Sequence, residues 1–220
     1  MHFEVLIEDQ SGKTALEILI PKIIDCDQHT FTVHAYKGTG RIPPNLNPNL
    51  DPKKRVLLDQ LPRLIQGYGQ TFAKYPTSYP AVLMIICDLD DRCLHRFRQE
   101  LIACLERSIP QPETYFCLAI EEGEAWYLGD FNAIKSAYPQ AKESVLNSYE
   151  NDAICGTWEV LADAIASGGS KWLTRQGGGR VGQEKMVWAE TIPQYMDIDQ
   201  NRSPSFCYFR DKLRRAIASR

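Results

Sequence analysis

The chain has 220 residues, 44% of them hydrophobic and 24% charged, with a formal net charge of −3. That length carries one large domain, or a core with a smaller appendage. No apolar run approaches the roughly 20 residues of a membrane span, and the acidic balance argues against a stand-alone nucleic-acid coat protein.

Phe3–Glu8 (FEVLIE) predicts a short strand rich in β-formers. Thr14–Ile24 predicts a helix with Leu16, Leu19, Ile20 and Ile23 on one face, kinked or shortened by Pro21. Thr30–Tyr36 alternates like a strand, and the Gly-, Pro- and Asn-rich stretch Gly38–Pro52 predicts a loop. Lys54–Lys74 places Val56, Leu57, Leu61, Leu64 and Ile65 at helical spacing around Pro62. Ala81–Asp88 (AVLMIICD) is a continuous apolar run, the pattern of a strand buried on both faces in a parallel sheet. Arg92–Arg107 predicts a helix with Asp91 as its N-cap and Leu94, Phe97, Leu101, Ile102 and Leu105 turned inward. Thr114–Ile120 reads as a strand and Glu121–Ala137 as a helix. The alternation of strands and helices predicts an α/β fold, a mostly parallel sheet flanked by helices.

The last third continues as helices. Thr157–Ala166, Gln183–Met196 and Ser203–Ser219 show helical patterns, with a basic, glycine-rich loop over Gly168–Gly182. The last helix has Ser203 as N-cap, Pro204 at its first position, and Phe206, Phe209, Leu213 and Ile217 on one face. A soft boundary near residue 145 divides an α/β core (1–145) from a helical, basic C-terminal extension (146–220), which is either separate or an elaboration of one domain. Residues 1–170 carry 15 basic and 23 acidic side chains, and residues 171–220 carry 10 and 5. That asymmetry suits a metal site beside a phosphate-rich substrate; a solvated basic helix is the alternative.

Seven cysteines without a CxxC pair predict buried, reduced thiols. Four scattered histidines give no zinc-enzyme spacing. Trp126, Trp158, Trp172 and Trp188 read as core packing. Met1-His2-Phe3-Glu4 lacks the basic start and apolar stretch of a secretory signal, so a cytoplasmic location is expected.

Three acidic groups fall where strands end, the place where open α/β sheets gather active groups. Glu8 closes the first strand, Asp88 and Asp90 the central one, and Glu121, Glu122 and Glu124 follow the next. If the strands are neighbours, these carboxylates converge on one cleft. Oxygen ligands of this kind suit Mg²⁺ or Mn²⁺, which keeps waters and takes substrate phosphate oxygens into its shell. Alternation along an extended Asp88-Leu89-Asp90 would point both carboxylates the same way.

The set of Glu8 after a first strand, a helix behind it, and an apolar strand ending in Asp-x-Asp resembles the Toprim domain of topoisomerases, primases and overcoming-lysogenization-defect nucleases, over roughly residues 3–130. The chain resembles more closely a bacterial family with a Toprim-like core, often encoded beside ATPases of defence or mobile-element type. That likeness rests on Glu122-Gly123-Glu124-Ala125-Trp126, Leu128-Gly129-Asp130 and Ser203-Pro204-Ser205-Phe206. It implies a Mg²⁺- or Mn²⁺-dependent nuclease acting on phosphodiester bonds, an effector in phage defence or a mobile element, with an ATPase partner and a nucleic-acid substrate, DNA in preference to RNA. Residue by residue, it implies Glu8 as general acid/base, Asp88 and Asp90 as the metal pair, Glu124 and Glu122 as further acidic ligands, and Lys185 as a phosphate contact. Toprim domains place Gly after the glutamate, and here Asp9 follows Glu8. The alternative is a Toprim-like regulatory or nucleic-acid-binding subunit without catalysis. Ser11-Gly12-Lys13-Thr14 imitates the tail of a P-loop, but Ile7 stands where that motif needs glycine, so Thr14 reads as a helix cap and Lys13 as a solvent or phosphate contact. Gly177–Arg180 and the basic face of Arg210, Lys212, Arg214 and Arg215 are further candidates for phosphate contact.

Overall fold

The computed structural model describes residues 1–46 and 55–219. Four strands, β1 (His2–Ile7), β2 (Thr30–Ala35), β3 (Ala81–Asp88) and β4 (Thr114–Ala119), form one sheet in the order β2-β1-β3-β4. Every pairing is parallel. The α/β class read from the sequence is therefore the observed one. Part of the Gly38–Pro52 loop and Lys54, the start of the helix expected at Lys54–Lys74, lie outside the described residues.

Sheet faces follow from the period of two. Phe3, Val5 and Ile7 of β1 and Val82, Met84 and Ile86 of β3 enter one core, whereas Leu6, Leu83, Ile85 and Cys87 enter the other. This two-sided burial explains why β3 is apolar at nearly every position. The first core is closed by α1 (Gln10–Ile23), and the second by α2 (Leu57–Phe72) and α3 (Leu94–Glu106). The chain steps from β1 outward to β2, then back across to β3 and on to β4. Right-handed crossovers in opposite directions put α1 on one face and α2 and α3 on the other.

The remaining helices are α4 (Glu124–Leu128), α5 (Phe131–Ala137), α6 (Glu143–Leu146), α7 (Thr157–Ile165), α8 (Gly169–Gln176), α9 (Gly178–Tyr195) and α10 (Pro204–Ala218). Trp188, Ala189 and Ile192 of α9 and Phe206, Phe209 and Leu213 of α10 belong to the same apolar cluster as Phe3 and Val5, so one core spans residue 145. Trp126 anchors it. Its ring stacks on Phe209 at 5.1 Å between centroids and meets Phe206 edge-on at 5.7 Å, and its indole N–H donates to Ser205 Oγ at 3.0 Å. Lys22 of α1 donates to the carbonyls of Pro193, Gln194 and Met196, capping the C-terminus of α9. Ser203 caps α10 as expected, accepting from the Phe206 N–H.

Several local expectations are corrected. Helix α1 starts at Gln10 with Asp9 as its cap, so Thr14 lies inside the helix; Pro21 falls in its last turn. Helix α3 starts at Leu94 after Cys93, so Asp91 caps nothing, and Leu94 and Ile102 face outward at 46% and 38% exposure. Glu121–Ala137 is not one helix: Glu121 adopts a left-handed backbone at φ 62°, and two short helices follow. The stretch Gly168–Gly182 is mostly helical, divided at Gly177 (φ 92°) between α8 and α9. Packing against α1, α5 and α7 overrides the weak helix propensity of its glycines. Trp172 is half-exposed, and Cys26, Cys93 and Cys155 are exposed, whereas Cys87, Cys104 and Cys117 are buried; all seven are free.

Candidate active site

The sheet order reverses direction between β1 and β3, and ligands of open α/β sheets bind outside the strand ends at such a switch point. Ile7 is in register with Ile86, so the chain leaves both strands side by side there. Glu8 follows β1 and Asp88 ends β3. The Asp88 N–H donates to Glu8 Oε2 at 3.3 Å, and the Thr39 hydroxyl donates to the same oxygen. Glu8 Oε1 and the whole Asp88 carboxylate have no hydrogen-bond or ion-pair partner among the described residues.

These groups open into a small cavity of about 40 Å³, room for a few waters. Glu8, Asp9, Asp88, Glu124, Tyr127 and Lys185 are among its lining residues. Burial first, then the charges of Glu8 and Glu124, push the Asp88 carboxyl well above the usual carboxylate range, with Lys185 pulling it back. Burial likewise raises Glu8 and outweighs its two hydrogen bonds, aided by the charges of Asp9 and Asp90. Desolvated like charges at a switch point are expensive to maintain, which marks a site rather than a scaffold.

Lys185 reaches the cleft from α9. Its Nζ donates to Glu122 Oε2 and Glu124 Oε2, both at 3.2 Å. Burial alone would lower its pKa, but Glu124, Glu122 and Asp88 outweigh that and hold it above its ordinary value. Burial, helped by the Glu124 charge and opposed by Lys185, pushes Glu122 up to about 7.

Of the sequence-derived residues, Glu8, Asp88, Glu124 and Lys185 share the cleft, and Glu122 joins through Lys185. Asp90 does not line it. Its left-handed backbone, at φ 52°, breaks the alternation expected of Asp88-Leu89-Asp90, and its half-exposed carboxylate faces Arg92 at 3.6 Å. Glu121 has a different duty. Its carboxylate accepts from the backbone N–H groups of Cys155, Gly156 and Thr157 at 2.9–3.1 Å and from the Thr157 hydroxyl, anchoring the start of α7. Burial works against the charge, but these donors win and hold its pKa below the usual value. Replacing Glu121 with Ala leaves those amides without a partner and is expected to cost about 2 kcal/mol in chemical denaturation.

Two contributors went unpredicted. Asp9, expected as a departure, is an N-cap: its carboxylate accepts from the Gly12 N–H and the Ser11 hydroxyl, both at 2.6 Å. Its backbone is extended (φ −142°), so no glycine is needed there. The Asp-x-x-Gly spacing before an apolar helical face carried that signal. The same carboxylate occupies the Gly12 amide, one that a P-loop would turn to phosphate. Thr39 lies in a glycine-rich stretch with nothing to distinguish it. Lys13 pairs with Glu17 at 3.4 Å, within α1. The basic groups near the C-terminus are mostly engaged internally. Arg180 pairs with Glu184 and Arg214 with Asp199, both at 2.6 Å; Arg210 donates to Asp211 and to the Ile198 carbonyl, and Lys212 lies over the rings of Tyr115 and Tyr208.

Among the described residues, no group of three or more His, Cys, Asp and Glu is arranged as a metal site. Glu8 and Asp88 nevertheless present hard oxygen donors to one cavity, and Mg²⁺ is commonly held by one or two carboxylates, completed by waters and substrate phosphate. The two carboxylates suit such an ion in donor chemistry; Glu124 lines the same cavity but is engaged by Lys185, as is Glu122, and Asp90 lies outside it.

A family model described as a domain of unknown function (DUF4276) matches residues 7–214. Comparison with curated proteins and with solved structures gave no match. Among the described residues, no helix is long and apolar enough to cross a membrane.

Proposed function

The chain belongs to the DUF4276 family, and we propose that it is a Mg²⁺- or Mn²⁺-dependent nuclease-like protein acting on phosphodiester bonds. The observation that carries this reading is the unpartnered Asp88 carboxylate beside Glu8 at the sheet's switch point. Glu8 and Asp88 would hold the ion. When bound, the ion supplies positive charge to the attacked phosphate and lowers the pKa of a coordinated water. Thr39 and the Asp88 amide fix the orientation of Glu8, and burial raises its pKa, the direction that helps a carboxyl exchange protons. Lys185 keeps a cation at the cleft, placed to meet a phosphate oxygen. The resemblance to Toprim nucleases supports the same reading, and it extends to a cytoplasmic effector of a defence or mobile-element system, with DNA as substrate and an ATPase as partner.

A second reading, a binding or regulatory subunit without catalysis, is favoured by one observation: Glu122 and Glu124 are already engaged by Lys185, leaving two carboxylates for an ion. The two readings separate on incubation of the purified chain with plasmid, single-stranded DNA and RNA in Mg²⁺, Mn²⁺ or EDTA, alone and with an ATPase encoded beside it. Cleavage that needs the metal and stops in EDTA is the expected result. Intact substrates under every condition would assign the chain to the second reading.

A further inference from the structure

The cavity at the strand ends has few side-chain donors, and most are committed. The Ser11 hydroxyl donates to Asp9, and the Trp126 indole N–H to Ser205. Lys185 gives two of its three hydrogens to Glu122 and Glu124. Tyr127 differs. It lines the same cavity, is only 5% exposed, and its hydroxyl has no hydrogen-bond partner among the described residues. A buried hydroxyl left without a partner is costly, and one that borders a cavity is satisfied by what enters that cavity. The residue is also held in place. Helix α4 carries Glu124 and Tyr127 three positions apart, on one side. Behind them Trp126 packs on Phe206 and Phe209, and its carbonyl accepts from Asn201 Nδ2 at 2.8 Å. Gly129, just past the helix, sits so close to the next segment that an added Cβ would lie 2.7 Å from the Ser203 nitrogen. A phenol fixed in this way loses little entropy on meeting a ligand.

We propose that Tyr127 contacts the substrate, its hydroxyl donating to a non-bridging oxygen of the bound phosphodiester. This contact rests on the phosphodiester reading, and it divides the cavity's groups by chemistry. The ionised carboxylates of Glu8 and Asp88 offer only acceptors and suit a cation. Lys185 and Tyr127 are left as the side-chain donors for an anion, one charged and one neutral. Burial, then the charges of Glu124, Asp9 and Asp88, push the Tyr127 pKa up, so the hydroxyl keeps its hydrogen to donate. A hydrogen bond to an anion in such a poorly solvated place is worth about tenfold or more in affinity.

Tyr127→Phe removes one oxygen and keeps the ring, so thermal stability should be unchanged, since no protein group loses a partner. The full chain with ¹³Cζ-labelled tyrosine is followed by NMR, where the Tyr127 signal is the one missing from Tyr127→Phe. Diethyl phosphate, a phosphodiester slow to hydrolyse, is titrated in with and without Mg²⁺. The Tyr127 signal should shift as this probe binds. Calorimetry should show Tyr127→Phe binding the probe about tenfold more weakly or worse, with Mn²⁺ affinity unchanged. A Tyr127 signal that stays in place at every probe concentration, or equal probe affinity in the variant, would overturn the contact. A Mn²⁺ affinity that falls with the hydroxyl would overturn it too, by assigning Tyr127 to the metal. Failure of the nuclease reading shows separately, as a wild-type chain that binds no Mn²⁺ and cleaves nothing. The Tyr127 signal, recorded with metal and without, decides the contact in either case.

Discussion

Asp88→Asn is expected to abolish metal-dependent cleavage and, at the same time, to stabilise the fold. The loss follows from the site. Mutating groups that merely orient metal ligands costs about 10–100-fold, and Asp88 is a proposed ligand itself, so cleavage should fall by about 100-fold or more. The gain follows from electrostatics. Burial and the neighbouring charges of Glu8 and Glu124 raise the Asp88 pKa in the folded state. An acid shifted upward stabilises the fold below its unfolded pKa, and that contribution is lost as pH rises through the folded pKa. Once pH passes that raised folded pKa, the ionised side chain is a burden that Asn removes, and the variant should be more stable there by about 1 kcal/mol. Parallel cleavage assays and thermal melts across a pH series check this, with the stability gain confined to the higher pH. A mutation that destabilised the protein and lowered activity only in proportion would point to Asp88 as a packing residue.

Lys185→Met carries the second large effect. The lysine is mostly buried and neutralises two carboxylates at 3.2 Å, with Asp88 close enough to raise its pKa further. Removing one partner of a buried ion pair leaves unpaired charge in a poorly solvated place, which costs about 3–5 kcal/mol. The deficit depends on pH with a defined sign. Glu122 titrates at about 7 in the intact protein, above its ordinary value, and loses a favourable neighbour when Lys185 goes. Without Lys185 its pKa rises further above 7, so the deficit is largest above that pKa, where Glu122 stays charged, and shrinks as pH falls toward 7 and Glu122 takes up a proton. Urea denaturation at both ends of that range measures the difference. Cleavage should also fall, and raising the metal concentration should not restore it, because the proposed role of the lost charge is to meet the phosphate and not to hold the metal.

What the sequence made legible, and what it hid, divides by the range of the interactions. All four strands fall within a residue or two of their expected places, because each carries a pattern set locally, an apolar run or, in β2, an alternation. Asp88 was legible for the same reason: a carboxylate closing so apolar a strand emerges at the carboxyl end of the sheet. The errors arise where distant parts meet. Glu121 breaks the expected helix because its carboxylate is drawn to the amides of residues 155–157, and no neighbour in the chain signals that. The glycine-rich stretch becomes helix because α1 packs along α9. Asp90 departs from Asp88 through one left-handed residue, which a two-residue motif does not encode. Lys185 reaches Glu122 and Glu124 across more than sixty positions of sequence, and it was reached by resemblance alone.

Crystals soaked in Mn²⁺ test the proposed divalent cation between Glu8 and Asp88 directly, through its anomalous scattering. A single strong peak in the cleft between these two carboxylates, absent from Asp88→Asn crystals soaked in the same way, is the predicted result. A cleft without a peak at saturating Mn²⁺, or a peak that persists unchanged in the variant, would contradict it.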